Sequence, residues 1–79
     1  MFNVLFRRFK EAYKETFIGG DRGKKATLDM INLVSASFKL YMVDLISEND
    51  MLKIRYYYHY IGTLAETYGL EDLWADEVL

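Results

Sequence analysis

No proline interrupts this chain, and its five glycines fall at only four places: Gly19-Gly20, Gly23, Gly62 and Gly69. Between those points the backbone meets no residue that must break a helix. The glycines therefore mark the joints of an all-helical chain, and the apolar residues between them repeat at helical spacing. Phe2, Leu5, Phe6, Phe9, Tyr13 and Phe17 advance in steps of three and four, which places every ring on one face. Arg7, Lys10, Glu11 and Lys14 fall elsewhere, with Arg7 and Glu11 four apart and able to pair. This pattern predicts a first helix over residues 2–18, closed by Gly19-Gly20.

The segment Gly19-Gly20-Asp21-Arg22-Gly23-Lys24-Lys25 reads as a turn, with Asp21 or Thr27 placed to cap a second helix over residues 24–47. Leu28, Ile31, Val34, Phe38, Tyr41 and Leu45 form the spine of that helix. Met30, Leu33, Met42 and Ile46 are apolar as well, so only a stripe through Lys25, Asp29, Asn32, Lys39 and Ser47 is polar. A helix apolar on most sides has neighbours on most sides, which makes it the central element. Ser47-Glu48-Asn49-Asp50 is expected to turn the chain and cap a third helix over residues 50–68. Its stripe is Met51, Ile54, Tyr58, Ile61, Ala65 and Tyr68, with Gly62 inside it for close packing and Gly69 as terminator. A last helix over residues 71–78 shows Leu70, Leu73, Trp74 and Val78 on one side, and is too short to stand in water undocked. The run Tyr56-Tyr57-Tyr58-His59-Tyr60 favours strands by composition, yet no alternation of period two supports one. The expected fold is a small three-helix bundle with a short C-terminal fourth helix, one domain over residues 1–79.

At 79 residues the chain stands near the lower size limit for independent folding. It has no cysteine and one histidine, which removes disulfides, thiolate zinc sites and a cysteine nucleophile. Half its residues are apolar, with seven tyrosines and five phenylalanines, so a homodimer is the expected support. Arg7, Arg8 and Lys10 arrive before any sustained apolar run, and Asp29, Asn32, Lys39 and Asp44 interrupt the longest one. Neither a secretory signal nor a membrane span is read, and the cytoplasm is the expected location.

Charge is segregated along the chain. Residues 1–25 hold seven cations against three acids, net +4, whereas residues 26–79 hold three cations against nine acids, net −6. The acidic tail, Glu71, Asp72, Asp76 and Glu77 around Trp74, reads either as an amphipathic helix offered to a partner or as a strap folded back on the bundle. Tyr56 and Tyr60 share an outer face suited to an interface. The glycine-basic turn reads as a solvated turn or as an anion cradle in which Arg22, Lys24 and Lys25 hold phosphate and Tyr13 stacks on a base. It is not a Walker loop: the glycine spacing is one short, Lys25 stands where Ser or Thr belongs, and no strand precedes it. Nucleic acid is an unlikely partner, because the five acids after residue 65 would repel phosphates unless they point away.

No catalytic group is expected. His59 has no carboxylate three or four residues away, Ser35, Ser37 and Ser47 have no base in reach, and Glu71-Asp72 and Asp76-Glu77 are exposed neighbours without a cleft. No metal or cofactor is read. In size, composition and charge pattern the chain resembles the small accessory proteins that phages encode to occlude a surface on a larger host protein, a likeness that no particular motif carries. The leading expectation is a non-catalytic, protein-binding module of inhibitor type. One alternative is a helical binder that sequesters a nucleotide or other phosphorylated small molecule at the Gly19–Lys25 turn. A second is a structural subunit of a larger assembly.

Overall fold

A computed structural model describes residues 1–78, with the Val78 side chain and Leu79 outside the described part. The described chain is all-helical: α1 spans Phe2–Thr16, α2 Gly20–Met42, α3 Glu48–Tyr68 and α4 Glu71–Val78. The Tyr56–Tyr60 run is helical, its strand propensity overridden by packing on two sides. As the apolar pattern of α2 implied, that helix touches all three others, while α1 and α4 do not meet. The core joins Leu5, Phe9 and Ala12 of α1 to Met30, Ile31 and Val34 of α2, and Ile54 and Ile61 of α3, with Ile46 inserted from the α2–α3 connection.

The order of ring contacts sets the direction of the helices. Lys53 lies over Phe2, Tyr57 packs on Phe6, Phe9 and Tyr13, and Tyr60 packs on Tyr13 and Phe17. Contacts advance together along both helices, so α1 and α3 run parallel and α2 returns between them. The start of α1, the end of α2 and the start of α3 therefore share one end of the bundle. From the opposite end α4 turns back over α2 and α3, with Trp74 packed on Tyr58 at a centroid distance of 5.1 Å and its Nε1 close to Gly62. A Cβ at residue 62 would stand 3.6 Å from that nitrogen, an ordinary contact, so the packing does not demand the glycine expected there for close approach.

Two joints differ from the sequence expectation. α2 begins at Gly20, so the residues expected to form an open turn are mostly its first turn. Asp21 and Thr27 do not cap it: the N-cap is Gly19 without a side-chain bond, and Thr27 is buried, donating to the Gly23 carbonyl at 2.8 Å. α2 also ends at Met42 rather than near Ser47. There the Leu45 amide donates to the Leu40 carbonyl (2.9 Å) and the Asp44 amide to Tyr41 (3.1 Å), with Asp44 at φ 60°. This is a Schellman closure in which an aspartate occupies the left-handed position. It carries Tyr41 and Leu45 out of the expected spine, and both are exposed. Ser47 then caps α3 through a reciprocal box, its Oγ accepting from the Asp50 amide and the Asp50 carboxylate accepting from the Ser47 amide, each at 3.1 Å.

Candidate functional site

The residues singled out from the sequence do not form one site. Trp74 is half-buried against Tyr58, so the strap reading of the tail describes its packing, while Glu71, Asp72, Asp76 and Glu77 remain exposed on α4. The anion cradle at Gly19–Lys25 is not formed as an open turn. Arg22 donates twice to the Glu15 carboxylate, at 3.0 and 2.7 Å. That ion pair, the one found among the described residues, replaces the expected Arg7–Glu11 pair. Lys24 and Lys25 are exposed on the first turns of α2. A cleft of about 860 Å³ between α1 and α2 gathers Arg8, Arg22 and Lys25, but also Glu11, Glu15 and Asp29. The cleft is thus lined by three cations and three acids.

Tyr13 does not face that cleft. Its ring lies on the α3 side of α1, stacked on Tyr56 (5.9 Å, 14°) and Tyr60 (5.1 Å, 24°), and its hydroxyl stands 3.1 Å from that of Tyr56. Tyr60 is held by its hydroxyl 3.0 Å from Thr16 Oγ1 and is half-buried, whereas Tyr56 is 62% exposed. The shared outer face expected for Tyr56 and Tyr60 is therefore a three-ring cluster built with α1. The hydroxyl pair and partial burial push the Tyr13 phenol up to about 12, with the neighbouring tyrosines adding to the shift. Burial also raises Tyr57 beneath them.

The rings continue along the α1–α3 seam. Phe2 stacks on Phe6 at 5.4 Å, Phe6 meets Tyr57 edge-on at 6.0 Å, and Tyr13 leans on Phe17 at 5.0 Å. Lys10 Nζ lies 4.6 Å over Phe6 and Lys53 Nζ 5.6 Å over Phe2, both within cation–π range.

A different surface occupies the end shared by the start of α1, the end of α2 and the start of α3. Met1, Val4, Met42, Val43, Leu45 and Leu52 are each more than half exposed, Met42 at 82%. Sequence reasoning missed this surface because it extended α2 through Leu45 and counted Met42 and Leu45 among that helix's core-facing side chains, while Met1, Val4, Val43 and Leu52 fell outside the stripes it read. The signal available was their number: more apolar residues than three helices of this length can cover.

His59 is exposed and lies beside a shallow pocket of about 280 Å³ shared with Glu66, Glu71 and Trp74, with no hydrogen bond to either carboxylate. Among the described residues no group of three His, Cys, Asp or Glu could hold a metal ion, and no helix is long and apolar enough to cross a membrane. Compared with protein-family models, curated proteins and solved structures, the chain finds no match in any of the three.

Proposed function

We propose that this chain is a non-catalytic protein-binding module that occupies an apolar hollow on a larger protein. The supporting observation is the apolar end of the bundle, toward which the exposed Met1, Val4, Met42, Val43, Leu45 and Leu52 all lie. Apolar side chains gathered in that way on so small a domain mark a contact surface, since scattered ones need no explanation and clustered ones do. Two of these residues, Met1 and Met42, are methionines, whose flexible side chains suit a contact that must adapt to a partner. Asp44 and Glu48 are exposed beside it, so the fitting partner has basic residues around the hollow. Trp74 is engaged with α3 and is not an anchor in this reading, and the α4 acids contribute at most to steering. The small size, absence of cysteine and segregated charge agree with the phage-type inhibitors that the chain resembles.

Affinity capture from bacterial lysate, repeated with Met42→Glu/Leu45→Glu and with Glu71→Lys/Asp72→Lys, tests the reading. A single protein retained at near-equal stoichiometry, lost with the Met42/Leu45 variant and rebound by purified components, supports it. Loss with the α4 charge reversal alone moves the contact to the acidic tail. A bait recovered without a partner in every case overturns the proposal, and sedimentation of the pure chain then decides whether that end pairs with a second copy as a homodimer.

A further inference from the structure

A second surface, remote from the apolar end's centre, has a different chemistry. Along the α1–α3 seam lie Phe2, Phe6, Tyr13, Phe17, Tyr56 and Tyr60, of which Phe17 and Tyr56 are exposed and the other four half-buried. Phe17 is 68% exposed, and the planes of Tyr13, Tyr56 and Tyr60 lie within 24° of one another. Arg7, Lys10 and Lys14 occupy the outer faces of α1 beside this row, and Lys53 stands across it on α3. None of the four is paired with a carboxylate among the described residues. Glu48 is exposed at the start of α3 beside the apolar end, and the other acids of the two helices are engaged elsewhere. Glu11 and Glu15 line the α1–α2 cleft, Glu66 lies beside Trp74, and Asp50 is bound to the Ser47 cap. The result is a trough of aromatic faces edged by cations of one sign.

We infer that this trough binds single-stranded nucleic acid, with bases stacked on Phe17 and Tyr56 and phosphates held by Arg7, Lys10, Lys14 and Lys53. The two exposed rings, Phe17 and Tyr56, offer stacking surfaces that any base can use, and a cationic edge follows a backbone without reading sequence. Phe2 to Phe17 covers about 22 Å of helix, enough for a site at the short end of the roughly 4–16 nucleotides typical of such surfaces. The acidic tail does not oppose this arrangement. α4 packs on α2 and α3 and makes no contact with α1, the helix that carries Arg7, Lys10 and Lys14. An acidic peptide would satisfy the cations but make no use of the ring faces, which is why a nucleic acid fits better.

The test is fluorescence anisotropy of a labelled oligothymidylate of about a dozen nucleotides, titrated with the intact chain at low and physiological salt. Neutralising three or four phosphates on a single strand gives a log–log salt slope of about −2 to −3. Phe17→Ala/Tyr56→Ala is expected to weaken binding about tenfold or more, as loss of a stacking partner does. Lys10→Glu/Lys14→Glu is expected to abolish it, with circular dichroism unchanged because all four side chains are on the surface. An abasic strand of the same length should bind about as weakly as the Phe17/Tyr56 variant. No anisotropy change at low salt overturns the inference. So does equal binding of the abasic strand or of polyglutamate, which would make the trough a site for an acidic protein.

Discussion

Gly23 and Tyr68 meet where the end of α3 lies against the start of α2. A Cβ built at residue 23 would fall well inside contact distance of the Tyr68 hydroxyl and within 3.4 Å of the Thr16 carbonyl. Two effects of opposite sign then compete in Gly23→Ala. Helix propensity favours alanine by about 1 kcal/mol, and overpacking opposes it by about 1–3 kcal/mol. Because Tyr68 is half-buried and Thr16 is backbone, overpacking should win, and urea denaturation should show a net loss. In a Tyr68→Phe background the offending oxygen is gone while the ring carbon remains 3.2 Å from the added Cβ, and the same change should cost less. An unchanged penalty in that background would place the clash elsewhere. The Tyr13–Tyr56 hydroxyl pair gives a second residue-level expectation. The folded state holds the Tyr13 phenol protonated up to about pH 12, against an ordinary value of 10.0. The unfolded chain thus releases that proton first, and the stabilisation is complete below pH 10 and lost as pH rises toward 12. Ultraviolet titration of the phenolates should show late ionisation of Tyr13 and Tyr57, and Tyr56→Phe should return Tyr13 toward the ordinary value.

At the scale of the element, the end of α2 is held by an unfavoured residue. Asp44 sits at φ 60°, a region that costs an L-residue of the order of 1 kcal/mol and glycine almost nothing. Asp44→Gly should therefore stabilise the fold by up to about 1 kcal/mol, read as a higher urea midpoint at unchanged slope. A loss of stability would show that the carboxylate does something the backbone geometry does not reveal. The same joint explains which elements were legible in the sequence. The first helix was readable because its stripe is regular, and the third because Ser47 and Asp50 form a recognisable capping pair and Gly69 takes φ 70° after Tyr68. The end of α2 was not, because an aspartate does the work usually signalled by glycine and the apolar pattern runs on past it. Its start was misread for the converse reason: Gly20 and Gly23 look like loop residues, yet Gly23 is helical and needed for close approach to Tyr68. The candidate site residues fared in the same way. Spacing placed Tyr56 and Tyr60 together correctly but could not show that Tyr13 of α1 joins them, since that contact spans more than forty residues of chain.

For the whole molecule, the question is whether the fold is complete without a partner. Its accessible surface is 5276 Å², close to the roughly 5000 Å² expected for a monomer of this mass. Phe9, Met30, Ile31 and Ile61 are fully buried, and no buried side-chain polar atom among the described residues lacks a hydrogen bond. The core is thus closed on itself, and the uncovered Met42 and Leu45 lie outside it. Met42→Glu/Leu45→Glu should consequently leave stability nearly unchanged, within about 0.5 kcal/mol per exposed site. For a domain of this size that is a shift in Tm of about 4 °C or less per site. Met30→Glu, which puts a carboxylate where no solvent reaches, should unfold the chain. Thermal melts of both variants at two protein concentrations separate the possibilities. If only Met30→Glu collapses, the apolar end is a surface held in reserve for binding. If both collapse, and the wild-type Tm rises with concentration, that end is half of a core completed by a second copy, because the stability of an obligate oligomer depends on how much of it is present.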